Sequence, residues 1–376
     1  MDKNILDSVY GCLIGGAVGD ALGAPVEGWD YEKIRQIYGR LTEIIPSTRG
    51  NTGSEYGGST GENWDDAYDR KPPVKGHFSD DTTMRHLLCL AIVRKNGRVT
   101  PDEYAEIIRE RLNPNRVWTQ DKLMLWKLKA GMNPWECGMG LIPCGCATMG
   151  IAPMGIINAG NPRQAYQDAF NIASINQIGH NRDGAATFAA GVAAAFVPGA
   201  TLESVLEVMR SYSSALMQRA IYRTMKLARN SKTIDEFAEK YYDTMLDYTW
   251  VSHPGESNER DRFFSGNTIE LVPITMAILF LTAGDTNQAM IEAASFGRDC
   301  DTTAGMAGSI TGALHGATSI RQDWIATVEN ANEDFYMEVE DDLKANFHSM
   351  AQRMVEALHN EQQAASTRAD FLKSIL

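Results

Sequence analysis

Apolar positions recur at helical spacing along almost the whole chain. Residues 3–22 carry them three and four apart, with glycines at positions 11, 15, 19 and 23. That spacing predicts a helix. Further helices are predicted at 84–95, 102–112, 162–175, 184–196, 201–229, 233–247 and 286–294. One or two amphipathic, charged helices are predicted over 333–375. Strand signals, meaning β-branched alternation bounded by turns, are nearly absent. The pattern therefore predicts an all-α, compact multi-helix fold. Residues 46–76 break it: they lack periodicity and are rich in Gly, Ser, Asn and Asp. This segment reads as a loop. It ends directly at an acidic cluster, which favours a lid over a site. No clear linker divides the chain, and no repeat of fixed period appears.

The glycine spacing needs a physical reason, because glycine inside a helix costs about 1 kcal/mol per site. Four-spaced glycines share one helix face and let another backbone come close. The same device recurs at Gly308, Gly312 and Gly316, within a run of small residues from Ala304 to Ala317. A third small-residue helix is predicted from Gly184 to Phe196. Three such helices can pack tightly around a small central site, or simply form a compact core.

Composition narrows the class. At 376 residues the chain is long enough for one large domain or two ordinary ones. A net charge of −13 argues against general nucleic-acid binding and would repel anionic membranes. A bound metal would reverse that field locally. The six cysteines show no pairing pattern of secreted proteins and read as reduced thiols. Cys144 and Cys146 could form a soft-metal or redox pair. Two small residues in a tight loop is the preferred reading, since no second Cys or His pair has zinc-site spacing. The N-terminus lacks a basic region followed by an apolar segment and cleavage site. The longest apolar stretch, Leu271 to Leu281, falls short of the about 20 residues that cross a bilayer. A soluble, cytoplasmic protein is expected, with no membrane and no nucleic-acid partner.

The chemistry sits in two acidic clusters. Asp299-Cys300-Asp301-Thr302 precedes the second glycine-rich run, and Ser79-Asp80-Asp81-Thr82 precedes the 84–95 helix. Each could be a plain helix cap, since Asp, Ser and Thr are ordinary N-caps. Together they offer four carboxylates plus hydroxyls, a set of hard oxygen ligands sufficient for two divalent cations. Histidine is missing from both, so Mg²⁺ or Mn²⁺ is favoured over zinc. Two such ions can orient vicinal hydroxyls and activate a water, which points to a metal-dependent hydrolase. Glu27 follows Pro25 in a loop, where it can serve as a general base, a gate, or an exposed salt-bridging acid. Asp20, on the glycine-striped face, is expected to cap or bond a neighbouring helix end. His180, ahead of the Ala-rich helix, can bond a ligand phosphate or ribose, or simply a helix start.

Five segments in this order resemble the ADP-ribosylglycohydrolase family. They are Gly-Asp-Ala-Leu-Gly-Ala-Pro-Val-Glu at 19–27, Ser-Asp-Asp-Thr at 79–82, the 144–156 loop, Gly-His at 179–180, and Asp-Cys-Asp-Thr at 299–302. The resemblance covers roughly residues 5–320 and implies an orthogonal all-α fold with a centre of two Mg²⁺ or Mn²⁺ ions. It implies Ser79, Asp80, Asp81, Asp299, Asp301 and Thr302 as metal ligands. Glu27, Asp81 and Asp299 stand as the catalytic carboxylates. Gly145, Cys146, Thr148 and His180 stand as substrate contacts. Residues 1–330 would form the catalytic domain, and 331–376 an amphipathic helical extension packed on it. The implied partner is a ribosylated small molecule or an ADP-ribosylated acceptor. The oligomeric state stays open, although the helices after 333 could pair with another subunit.

The chain departs from that pattern in its middle loop. The family usually has Gly-x-Gly-small-x-Met-Arg there, with backbone amides cradling phosphates; here Cys144, Cys146 and Gly150 replace both glycines and the arginine. Cysteine resists positive φ, and a charge is lost. Arg298 and Cys300 stand where glycine and threonine are commoner. An altered diphosphate site favours a small N-riboside as the alternative substrate. Trp118, Trp126 and Trp135 could stack on an aglycone or pack in the core. A catalytically idle ribosyl-ligand-binding protein is the alternative of another class.

Overall fold

The computed structural model describes residues 4–47, 74–244, 266–342 and 344–376. The expected lid at 46–76 and the last residues of the 233–247 helix lie largely outside them. Among the described residues there are 18 α-helices, and the strands reduce to Pro46–Ser47 paired antiparallel with Val74–Lys75. The all-α expectation holds.

Two helices form the axis of the molecule: Ile5–Gly23 and Cys300–His315. Their glycine stripes face each other. A Cβ on Gly15 would lie 2.4 Å from the Gly308 carbonyl oxygen, and one on Gly308 would lie 2.1 Å from that of Gly15. Gly11 and Gly312 repeat the relation one turn away, at 2.4 and 2.0 Å. Backbones this close leave no room for a methyl group, so the stripe is a packing device. The Ala-rich helix Gly179–Ala195 and the apolar helix Thr268–Leu281 pack around this axis and complete the core.

The helix Ile5–Gly23 corrects one expectation. With Ala24–Val26 it is long and apolar enough to cross a membrane by length and composition, although its main apolar window is 78% buried inside the fold.

Helix ends follow local capping chemistry, and that explains the boundary errors. The 84–95 helix runs Asp80–Lys95, because the Ser79 hydroxyl accepts the Asp81 N–H at 3.2 Å. The 184–196 helix starts at Gly179, so His180 lies in its first turn, not ahead of it. The predicted 201–229 helix is two, Leu202–Tyr212 and Ala215–Arg229. Ser214 caps the second, and its N–H and hydroxyl bond Asp183 at 3.0 and 2.6 Å. Helices at Tyr31–Tyr38, Thr119–Lys129 and Gln322–Ala331 were not anticipated.

The C-terminal region forms two helices, Glu333–Glu340 and Phe347–Ile375. The second buries Phe347, Met350, Ala351, Met354 and Ala357 against the body, and its last turns are exposed. Glu340 joins the two: it meets His86 at 2.7 Å and Arg353 at 2.5 Å.

Candidate active site

The N-termini of Asp80–Lys95 and Cys300–His315 open into one cleft. Its lining brings together Glu27, Asp80, Asp81, Asp299, Asp301 and Thr302, with Trp118, Cys144, Gly145, Cys146, Met149 and Gly266. Most of the candidates from the sequence therefore meet in space. Carboxylate oxygens of Glu27, Asp299 and Asp301 all lie within 4.8 Å of one another, a spacing that can hold a metal ion.

Each acid is placed by a local reason. Glu27 ends the short turn Ala24–Val26 after the first helix. Asp299 occupies the N-cap position of Cys300–His315 but makes no side-chain cap bond. Its carboxylate is free of that duty and turns into the cleft, which corrects the capping alternative. The Asp80 carboxylate accepts the Trp118 N–H at 3.1 Å. Asp81 is buried; one oxygen faces the Ser79 hydroxyl at 3.3 Å, and Oδ1 has no hydrogen-bond partner among the described residues.

Behind this layer lies Asp20, as anticipated. It accepts the Ser79 N–H at 2.9 Å, the Thr82 N–H at 3.0 Å and the Thr82 hydroxyl at 2.5 Å. Arg85 is buried beside it, with Nη2 donating to the Met149 carbonyl at 2.9 Å. Sequence reasoning missed Arg85. The available signal was an arginine four residues after Asp81, on the same helix face.

The electrostatics are one-sided. Burial, then the Asp301 charge, pushes Asp20 up to about 7. Burial and the neighbouring carboxylates push Asp81 well above the usual range, Asp301 being the largest charge acting on it. Asp299 rises in the same way, burial first and Asp301 next. Such crowding disfavours ionised acids unless cations share the site. The unpartnered Asp81 oxygen and the all-oxygen donor set fit hard divalent cations.

Three candidates lie elsewhere. Ser79 caps its helix behind Asp81 and does not line the cleft. Thr148 is fully buried with its hydroxyl unpartnered among the described residues, because the short helix Cys146–Gly150 turns it inward. The His180 Nε2 lies 3.2 Å from Asn267 Oδ1, outside the cleft lining, and burial lowers its pKa.

The altered middle loop is also clarified. Gly145 has φ −79°, and no residue from 144 to 150 adopts positive φ, so the two cysteines meet no backbone penalty here. Their sulfurs lie 3.1 Å apart as free thiols, and the Gln177 side-chain oxygen anchors Cys144 by accepting its backbone N–H at 3.0 Å. Asp121, not anticipated, sits fully buried beside Cys146, where burial and Asp80 push its pKa up to about 7. Of the tryptophans, Trp118 lines the cleft, whereas Trp126 and Trp135 are exposed rather than core residues.

Comparison with known proteins places this geometry. The ADP-ribosylglycohydrolase family model matches residues 1–365. An uncharacterized Escherichia coli protein, YegU, is 24% identical over 347 residues, covering 87% of this chain and 93% of its own length. An uncharacterized Archaeoglobus fulgidus protein is 26% identical over 310 residues, covering 80% of this chain and 86% of its own. A solved structure described as an ADP-ribosylglycohydrolase-related protein complex superposes with a TM-score of 0.58 at 18% identity. It covers 95% of this chain and 98% of that one, and so shares the fold. With residues 1–365 matched and its fold shared, this chain belongs to the ADP-ribosylglycohydrolase family, and that membership supports a glycohydrolase type of function.

Proposed function

We propose that this protein is a metal-dependent hydrolase of a ribosyl glycosidic bond. The observation that carries this reading is the meeting of Glu27, Asp80, Asp81, Asp299 and Asp301 in one cleft, with a buried Asp81 oxygen left unpartnered among the described residues. Two Mg²⁺ or Mn²⁺ ions, when bound, would supply a grip on the ribose 2′- and 3′-hydroxyls and acidify a water. Asp80, Asp81, Asp299, Asp301 and the Thr302 hydroxyl are the residues that would hold them. Glu27 reaches the same point from the other segment and takes the proton of the attacking water. The clustered carboxylates favour positive charge at the anomeric carbon, as in other glycoside hydrolyses. Gly145, Cys146 and Trp118 form the wall available to the leaving group.

A second substrate reading has its own observation. The described lining of the cleft contains no Lys, Arg or His. That favours a neutral aglycone, as in a small N-riboside, over a diphosphate held by protein cations. The idle-relative reading is disfavoured because every acid of both clusters is present and convergent. The described cysteines are all free and buried, consistent with the cytoplasmic setting assumed for this reading.

The test is a turnover screen with Mg²⁺ or Mn²⁺ across ADP-ribosylated peptides, ADP-ribosyl small molecules and nucleosides. Release of free ribose or ADP-ribose, lost on EDTA treatment and restored by either ion, is the expected result. Tight metal binding with no turnover on the whole panel would replace this reading with the binding-protein one. Activity surviving exhaustive metal removal would refute the metal dependence.

A further inference from the structure

Two thiols meet in the wall of the cleft. Of the six cysteines, only Cys144 and Cys146 line it. Cys12, Cys89, Cys137 and Cys300 are buried and outside its lining. Gly145 separates the pair with φ −79° and ψ −1°, a tight bend, and the two sulfurs stand 3.1 Å apart across it. A disulfide spans Cα atoms about 4.4–6.8 Å apart, so partners two residues apart need a compact residue between them. Gly145 supplies that bend without positive φ.

The surroundings hold one sulfur and leave the other in reach. Gln177 Oε1 accepts the Cys144 backbone N–H at 3.0 Å, and Gln177 Nε2 donates to the Cys144 sulfur at 3.0 Å. Cys144 is 1% exposed. Cys146 is 7% exposed, opens the short helix Cys146–Gly150, and turns its thiol to the buried Asp121 carboxylate. Asp121 is itself held by Asn176 Nδ2 at 3.1 Å. An outer thiol beside a fixed inner one is the arrangement of an attacking and a resolving cysteine. The hydrogen bond with Cys144, and then burial, raises Cys146 well above the ordinary thiol range. The thiolate is the nucleophile, so its oxidation is slow and needs sustained oxidant.

We propose that Cys144 and Cys146 are a reversible oxidation site, converted to a disulfide by a small peroxide that enters the cleft. The Cys146 sulfur attacks one peroxide oxygen: an S–O bond forms, the O–O bond breaks, and the leaving hydroxide departs as water with the Cys146 thiol proton. The Cys144 sulfur then attacks the Cys146 sulfur: the S–S bond forms, the S–O bond breaks, and a second water leaves with the Cys144 proton. Two thiols and one hydrogen peroxide give one disulfide and two waters; sulfur loses the two electrons that oxygen gains. The link ties the start of Cys146–Gly150 to the loop that Gln177 holds, and so fixes the cleft wall at Gly145. This site is independent of the reaction that the acids perform.

The experiment uses the reduced, folded full chain, freed of reductant and kept for hours in about 1 mM hydrogen peroxide at neutral pH. Free thiols are then alkylated under denaturing conditions and mapped by fragmentation mass spectrometry. The parent should keep four of its six thiols, the missing two being Cys144 and Cys146, and dithiothreitol should restore all six. Cys146→Ser should keep its five. Cys144→Ser leaves the attacking thiol without its resolving partner, so dimedone should trap a sulfenic acid at Cys146, about tenfold or more above any labelling in Cys146→Ser. Thermal unfolding checks that the reduced variants are folded; where one is not, the map of the parent decides. Six free thiols in the treated parent overturn the proposal. So does a bond that joins any other two cysteines, or equal dimedone labelling of the two variants.

Discussion

The Asp20 carboxylate accepts both the backbone N–H and the hydroxyl of Thr82, at 3.0 and 2.5 Å. An acid on the first helix thereby caps the helix that presents Asp80 and Asp81, and it is this bond that ties the glycine-packed axis to the cleft. Asp20→Asn places an amide N–H against donors and leaves at least one of them unsatisfied. A loss of about 1–3 kcal/mol in urea unfolding is expected. Ser79→Ala should cost only about 1 kcal/mol, the value of an N-cap. If Ser79→Ala also weakened Mn²⁺ binding more than tenfold, the placement of Ser79 behind the ligand layer would be wrong.

Asp81→Asn and Asp301→Asn are expected to abolish hydrolysis while leaving the fold intact. In EDTA at pH 8 Asp81→Asn should be more stable than the parent by about 1–3 kcal/mol, because a buried, mutually repelling charge has been removed. In saturating Mg²⁺ the order should reverse, since only the parent gains binding energy from the ion. Thermal melts in the two buffers check both signs. Unchanged turnover in either variant would remove the acids from the mechanism.

Gly15→Ala and Gly308→Ala test the axis. Each new methyl carbon would fall 2.4 or 2.1 Å from an opposing carbonyl oxygen, and rigid backbone cannot yield as a side chain can. A cost of about 3 kcal/mol or more is expected for each. Chemical denaturation would show it, and a change below 0.5 kcal/mol, estimated as roughly the scatter of surface substitutions, would contradict the packing described.

Glu329 gives the molecule a pH dependence away from the cleft. Burial raises its pKa from 4.5 to about 7, against the Tyr336 hydroxyl that donates to it at 3.1 Å. The folded state therefore holds a proton that the unfolded chain has already lost between those values. The contribution to stability is full below pH 4.5 and disappears as pH rises through about 7. Glu329→Gln should gain about 2 kcal/mol on the parent between pH 5 and pH 8, after allowance for partial solvent screening. Parallel stability curves for the two proteins over that range would exclude the effect.

Helical periodicity, the two glycine stripes and both acid clusters were legible in the chain because each rests on local physics. Side-chain spacing decides a helix face, a missing Cβ permits close approach, and Asp beside Ser or Thr opens a helix. The sequence by itself therefore determined an all-α fold, its family and the acids offered to a cleft. It did not reach relationships that exist only once helices pack. Asp20 and Ser79 are 59 residues apart, Glu270 and Arg298 are 28 apart, and neither pair leaves a periodic trace. His180 and Thr148 looked like ligand contacts because their neighbours carry the family's motifs, yet packing points one at Asn267 and buries the other. Arg85 becomes the cation behind Asp20 only through burial. Tertiary structure alone decided which acids converge and how Glu27 meets Asp299. Direction and distance between elements are set by the crossing of backbones, here at the glycine contacts, and not by any short stretch of sequence.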